Sequence, residues 1–126
     1  MRTLLSLALL AALTAVQCKK DDRADAFIGT YNGTFTVDNG SGALSFDDVD
    51  AEVTKSSDDE LKIELAPFGF TAEIRATATS ESRLTIPSQT VFNETIEGTG
   101  QLNGSTLTLT FTDSNGTETT YEGERQ

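Results

Sequence analysis

From Phe27 to the end of the chain, apolar residues recur at almost every second position, and no stretch carries the 3.6-residue spacing of an amphipathic helix. Leu61, Ile63 and Leu65 alternate with Glu60, Lys62 and Glu64. Phe70, Ala72, Ile74, Ala76 and Ala78 alternate with Glu73, Arg75 and Thr77, and Leu107, Leu109 and Phe111 alternate with threonines at 106, 108, 110 and 112. Successive side chains of a strand point to opposite faces, so each run has one face for a core and one for water. The outward threonines add β-propensity. A chain built this way has to fold as antiparallel sheet with one buried face.

The breaks between runs are turn-formers. Asp38 to Gly42, Ser56 to Asp59, Asn103-Gly104 and Asn115-Gly116 each separate two alternating segments, and Asn103-Gly104 is the strongest hairpin signal. Pro67 and Gly69 end one run, and Pro87 shortens or bends another. Leu44 and Phe46 share one parity while Val49, Ala51 and Val53 share the other, which predicts a bulge at Asp47-Asp48. Gly98, Gly100 and Gly123 fall at inward parity, where a curved sheet can bend sharply. About eight short strands follow, with no connection long enough for a parallel crossover. The predicted fold is all-β: an antiparallel up-and-down meander closed into a small barrel, because closure removes exposed edges. A two-sheet sandwich of the same strands is the alternative.

The N-terminus has a different grammar. Arg2 precedes an apolar run from Leu4 to Val16, broken only by Ser6 and Thr14, and the chain's one cysteine, Cys18, follows. Thirteen apolar-run residues are too few for the roughly 17–25 that span a bilayer. The segment reads as an export signal. Cleavage at a small-residue site near Ala15 would release a soluble protein with an unpaired thiol. The other reading gives Cys18 a role: Leu13 to Cys18 resembles a bacterial lipobox, with Gln17 where small residues are usual. Residues 1–17 are then a lipoprotein signal peptide, 18–26 a lipidated cysteine with a polar tether, and 27–126 the β-domain. Acyl chains on Cys18, at ~0.8 kcal/mol per buried methylene, would hold the protein on a membrane.

Composition narrows the chemistry. With 20 acidic and 9 basic residues the formal net charge is −11, which repels phosphate backbones and argues against nucleic-acid binding. Histidine and tryptophan are absent. No serine–histidine or cysteine–histidine pair can form, nor an imidazole metal site. No cofactor motif is present. The acid groups Asp47, Asp48, Asp50, Glu52 and Asp58, Asp59, Glu60 lack the spacing of a calcium loop and read as solvated turn charge. Asn-x-Ser/Thr triplets at Asn32, Asn93, Asn103 and Asn115 read as turn chemistry.

A resemblance adds to this. Phe-Ile-Gly-Thr-Tyr-Asn-Gly-Thr at 27–34, Ile-Pro-Ser-Gln-Thr-Val at 86–91 and Gly-Thr-Gly-Gln-Leu-Asn-Gly-Ser-Thr-Leu-Thr-Leu-Thr-Phe at 98–111 resemble small calycin-like (lipocalin-like) domains of Bacteroidetes lipoproteins. The acidic residues after Cys18 resemble a surface-export signal of that group. The resemblance implies a barrel anchored at the outer membrane or cell surface, and carries over no ligand residues. Tyr31, Phe35, Phe70, Phe92, Phe111 and Tyr121 are the aromatics that would line a pocket in a barrel mouth, although short strands favour a filled core. The expected function is non-enzymatic binding of a small apolar ligand or an envelope partner. The alternative is an inhibitor or accessory subunit whose acidic loops engage a basic enzyme.

Overall fold

The computed structural model describes residues 23–66 and 71–126. Eight strands run β1 (Gly29–Asp38), β2 (Ala43–Lys55), β3 (Glu60–Leu65), β4 (Ala72–Ala78), β5 (Arg83–Val91), β6 (Glu94–Asn103), β7 (Thr106–Asp113) and β8 (Glu118–Arg125). Each pairs antiparallel with the next, and β1 also pairs with β8, so the sheet is a closed barrel in sequence order. The meander barrel is therefore the fold, and the sandwich is excluded. Cys18 and Phe70 lie outside the described residues.

The buried face follows the alternation. Leu61, Ile63 and Leu65 on β3, Ile74, Ala76 and Ala78 on β4, and Leu107 and Leu109 on β7 are all at most 2% exposed. Outside, threonines line up across the wall in register: Thr36 faces Thr120, Thr120 faces Thr110, Thr110 faces Thr99, Thr99 faces Thr85 and Thr85 faces Thr77. Directly opposed β-branched pairs of this kind each contribute roughly 0.2–1 kcal/mol.

Two bulges shape the barrel. Gly33 pairs with Val49 but Phe35 with Phe46, so β2 carries one extra residue at Asp47-Asp48, with Asp48 at φ 62°. The predicted parity switch is this bulge. In β5, Ile86 pairs with Gly98 but Gln89 with Ile96, which places the second extra residue at Pro87-Ser88. Pro87 does not end its strand. It opens the β4–β5 ladder, whose register covers only Thr77–Thr85 and Ala78–Leu84. The buried Gln89 side chain closes the gap: its Oε1 accepts from the Arg75 N–H, and its Nε2 donates to the Arg75 and Pro87 carbonyls, at 2.8, 2.8 and 2.9 Å. One primary amide thus stands in for a missing piece of backbone.

Turn chemistry departs from expectation at the strongest hairpin. Asn103 pairs with Thr106, so the central residues are Gly104 and Ser105, with positive φ at Gly104 alone. A lone positive φ at the first central position marks a type II′ turn, not the type I′ turn of a central Asn-Gly pair.

The sequence also suggested a tether up to Ala26. Instead, Arg23–Phe27 form a 3₁₀ helix whose Ala24 and Phe27 are fully buried. The helix lies across the end of the barrel that holds the β2–β3 and β4–β5 turns, with Arg23 Nη1 donating to the Thr79 carbonyl at 3.2 Å and Lys55 Nζ 2.9 Å from Asp25. Arg125, at the end of β8, donates to the Ala26 carbonyl and to the Tyr31 hydroxyl, and its guanidinium sits 5.3 Å from the Tyr31 ring centre. The Tyr31 hydroxyl in turn donates to the Phe27 carbonyl at 2.9 Å. This end is closed.

Candidate functional site

Among the described residues, the opposite end is open. Strand ends at Val37, Leu65, Ala72, Val91, Glu94, Phe111 and Thr119 converge there around a cavity of about 280 Å³. Its wall also includes Phe35, Ile74, Ile96 and, at the rim, Phe92. Among the described residues Glu94 and Thr119 are the polar members of its wall, and the surface they leave facing the cavity is almost wholly apolar. An apolar cavity of about 150 Å³ stays dry and holds one benzene ring, so this one has room for a body of about two rings. The filled-core expectation therefore fails for half the barrel and holds for the other half.

The candidate lining residues separate accordingly. Phe35 and Phe111 line the cavity and are each 8% exposed, and Phe92 stands at its rim. Tyr31 and Tyr121 do not line it, because both are fully buried with their hydroxyls committed. Tyr31 belongs to the closed end. Tyr121 lies one inward position below Thr119 on β8, and its hydroxyl crosses to the Val49 carbonyl at 2.9 Å, next to the β2 bulge. Burial pushes the Tyr121 hydroxyl well above the usual phenol range, and the Asp50 charge adds to the shift. The ring leans toward Gly123, inside the filled half.

Sequence reasoning missed Val91 and Glu94 altogether. Val37, Leu65, Ala72, Ile74, Ile96 and Thr119 carried the right parity but were not named as lining residues, because parity does not tell which layer of a barrel a residue occupies. Phe92 did carry a readable oddity. Val91 pairs with Glu94, and the two residues between them, Phe92 and Asn93, have φ of 50° and 66°. That is a type I′ turn, where Asn and Gly are preferred and a bulky residue is strained. Backbone strain of about 1–3 kcal/mol concentrates at binding sites. Here it places an aromatic ring, 59% exposed, at the cavity rim.

The acid groups fall outside the cavity. Asp47 accepts from Thr34 Oγ1 at 3.1 Å, while Asp48 and Asp50 both accept from Asn32 Nδ2, at 2.9 and 2.8 Å, on the exposed outer wall. The bulge thus turns its carboxylates away from the interior. Among the described residues no group of three acidic or thiol side chains is arranged to hold a metal ion.

No protein-family model matches the chain, and no curated protein matches it. Solved structures do, and two of them are redesigned β barrels. One is a redesigned beta barrel with a TM-score of 0.62 and 17% identity, covering 83% of this chain and 96% of the other. The second, a redesigned beta barrel, mFAP1, bound to DFHBI, has a TM-score of 0.61 and 20% identity, covering 82% of this chain and 99% of the other. At these identities the likeness establishes the shared architecture.

Proposed function

We propose that this chain is a lipid-anchored protein of the bacterial cell envelope whose barrel binds a small apolar molecule without transforming it. The observation that carries the reading is the cavity of about 280 Å³, open at one end and walled by Phe35, Leu65, Ile74, Ile96 and Phe111. Concave, mostly apolar sites with a few polar groups are the usual form of small-molecule sites, although this one is at the small end of their range of ~300–1,000 Å³. A barrel of the same architecture has been solved bound to DFHBI, which supports the same use here. Absence of histidine, with the lone cysteine assigned to the lipid, leaves no ordinary nucleophile–base pair.

Cys18 precedes Arg23 by five residues, a span of at most ~18 Å in extended chain. Lipid on Cys18 would hold the closed end near the bilayer, with the mouth directed away from it. The ligand is then met from the aqueous side. The competing reading, inhibition of a basic enzyme by acidic loops, called for a filled barrel with protruding loops; the cavity favours ligand binding.

Titration with N-phenyl-1-naphthylamine, a neutral apolar fluorophore, tests the binding. Saturable enhancement at one probe per chain is expected, abolished by Ala72→Phe in a variant that melts cooperatively. Absence of binding, or binding unchanged by Ala72→Phe, overturns the reading. Membrane fractionation tests the anchor separately: Cys18→Ser is expected to move the protein to the soluble fraction or leave it unprocessed. An unmodified Cys18 in the intact mass of the native protein overturns that part.

A further inference from the structure

The chain contains the pairs Asn32-Gly33, Asn39-Gly40, Asn103-Gly104 and Asn115-Gly116. Such a pair can react with itself, because a glycine N–H, unshielded by a Cβ, can attack the amide carbon of the preceding side chain. Hydrogen bonds that hold either group restrict the attack to moments of local opening. The fold holds three of the pairs. Asn32 Nδ2 donates to Asp48 and Asp50 at 2.9 and 2.8 Å, and Gly33 lies inside β1, paired with Val49 on one side and Gly123 on the other. In the β1–β2 turn the Gly40 N–H donates to the Asp38 carboxylate and Asn39 Oδ1 accepts from the Ser41 N–H, both at 2.9 Å. In the β7–β8 turn the Gly116 N–H donates to the Asp113 carbonyl at 3.1 Å, and Asn115 Nδ2 donates to Glu94 at 3.4 Å. Asn103-Gly104 differs. Both residues are exposed, and among the described residues no hydrogen bond reaches the Asn103 side chain or the Gly104 N–H.

We propose that Asn103 is a self-modification site, at which the folded chain loses ammonia and becomes aspartate or isoaspartate. The Gly104 nitrogen forms a bond to Asn103 Cγ, the Cγ–Nδ2 bond breaks, and Nδ2 leaves as ammonia with the proton of the Gly104 amide. A cyclic imide remains. Water then adds to one of its carbonyls. Opening at Cγ restores the ordinary main chain with an aspartate side chain. Opening at the Asn103 main-chain carbonyl routes the chain through Cγ and leaves isoaspartate. Solvent water is the sole co-reactant, and nothing is oxidised or reduced. Isoaspartate adds a methylene to the main chain of a tight turn in which Asn103 pairs with Thr106. Either product adds negative charge opposite Thr106, whose hydroxyl already donates to Glu124. The turn belongs to the closed end, where the Ser105 carbonyl accepts from the Arg125 N–H at 2.8 Å. The Asn-Gly turns beside the mouth, at 39–40 and 115–116, are those whose glycine N–H is held, so the change is confined to the end opposite the cavity.

The test is to incubate the mature protein in mildly alkaline buffer made with heavy-oxygen water, digest it, and follow all four sites by mass spectrometry. Oxygen taken up from the solvent separates conversion during incubation from conversion during digestion. Denaturant-unfolded protein, treated in parallel, supplies the intrinsic rate of each site. Asn103 should retain roughly threefold or more of its unfolded-chain rate relative to Asn39 and Asn115, the margin that one hydrogen bond supplies. Asn32, held on both its side chain and its strand, should be slowest. Asp38→Ala, which frees the Gly40 N–H, should speed Asn39 by a similar factor and leave Asn103 unchanged. Conversion of Asn39 or Asn115 as fast as Asn103 overturns the proposal. So does an Asn103 that stays intact in the folded protein while the unfolded chain converts. An unchanged rate at Asn39 in Asp38→Ala overturns the hydrogen-bond account of the selectivity.

Discussion

The two ends of this barrel are built from the same eight strands and are finished differently. At the closed end, Phe27, Tyr31, Leu61, Leu84 and Leu107 are at most 2% exposed, and a 3₁₀ helix covers them. At the open end, Phe35 and Phe111 border a cavity, while Leu44 and Phe92 are 68% and 59% exposed. Polar chemistry is divided in the same way. The closed end ties Arg125, Tyr31 and Phe27 into one hydrogen-bonded chain, whereas the mouth holds a half-buried Glu94 and a strained Phe92. One half is close-packed, while the other encloses a cavity.

Truncations should break this symmetry most strongly. Leu109→Ala or Ile63→Ala in the filled half should cost ~2–5 kcal/mol, because each leaves a new void in a close-packed interior. Ile96→Ala, whose side chain already borders empty space, should cost about 2 kcal/mol, close to the transfer of the three carbons removed and without the added cost of a new void. Lys62→Ala and Thr108→Ala on the outer wall should stay within about 0.5 kcal/mol. Urea unfolding checks all of these, and equal losses in the two halves would erase the distinction.

Tyr121, sealed in the filled half, gives an intermediate effect with a pH signature. Tyr121→Phe removes the donor to the Val49 carbonyl and leaves that acceptor in a dry interior, at a cost of ~1–3 kcal/mol. Because burial raises the Tyr121 pKa in the folded state, the unfolded chain releases the phenol proton first, near pH ~10. The Tyr121 contribution is therefore complete below about pH 10 and lost as pH rises toward the folded-state value. Denaturation midpoints measured from pH 8 to 11 should fall at the alkaline end in wild type and fall less in Tyr121→Phe.

The smallest stability change should come with a loss of function. Phe92→Gly relieves a positive φ while giving up an apolar ring at the rim, so unfolding free energy should move by no more than about 0.5 kcal/mol. Binding of N-phenyl-1-naphthylamine should nevertheless weaken severalfold. A variant that loses stability without losing affinity would place Phe92 with the scaffold instead of the site.

The sequence already contained the strand list, the inward parity and the β2 bulge, because alternation is a local property and a one-residue slip reverses every side chain after it. Leu61, Ile63 and Leu65 could be assigned to the core from their neighbours alone. What local pattern could not carry was the layer each inward residue occupies. Tyr31, Phe35, Phe111 and Tyr121 share inward parity, yet two line the cavity and two are sealed beneath it. That division depends on the stagger of all eight strands around a closed circle, and on Arg23–Phe27 folding across one end through contacts with β2 and β4. Gln89 makes the same point: nothing near it in the chain shows that its amide replaces a ladder broken by Pro87, since its partner is Arg75, one strand away. Periodicity determined which face of each strand is buried; only the closed three-dimensional ring decided where burial ends and an open site begins.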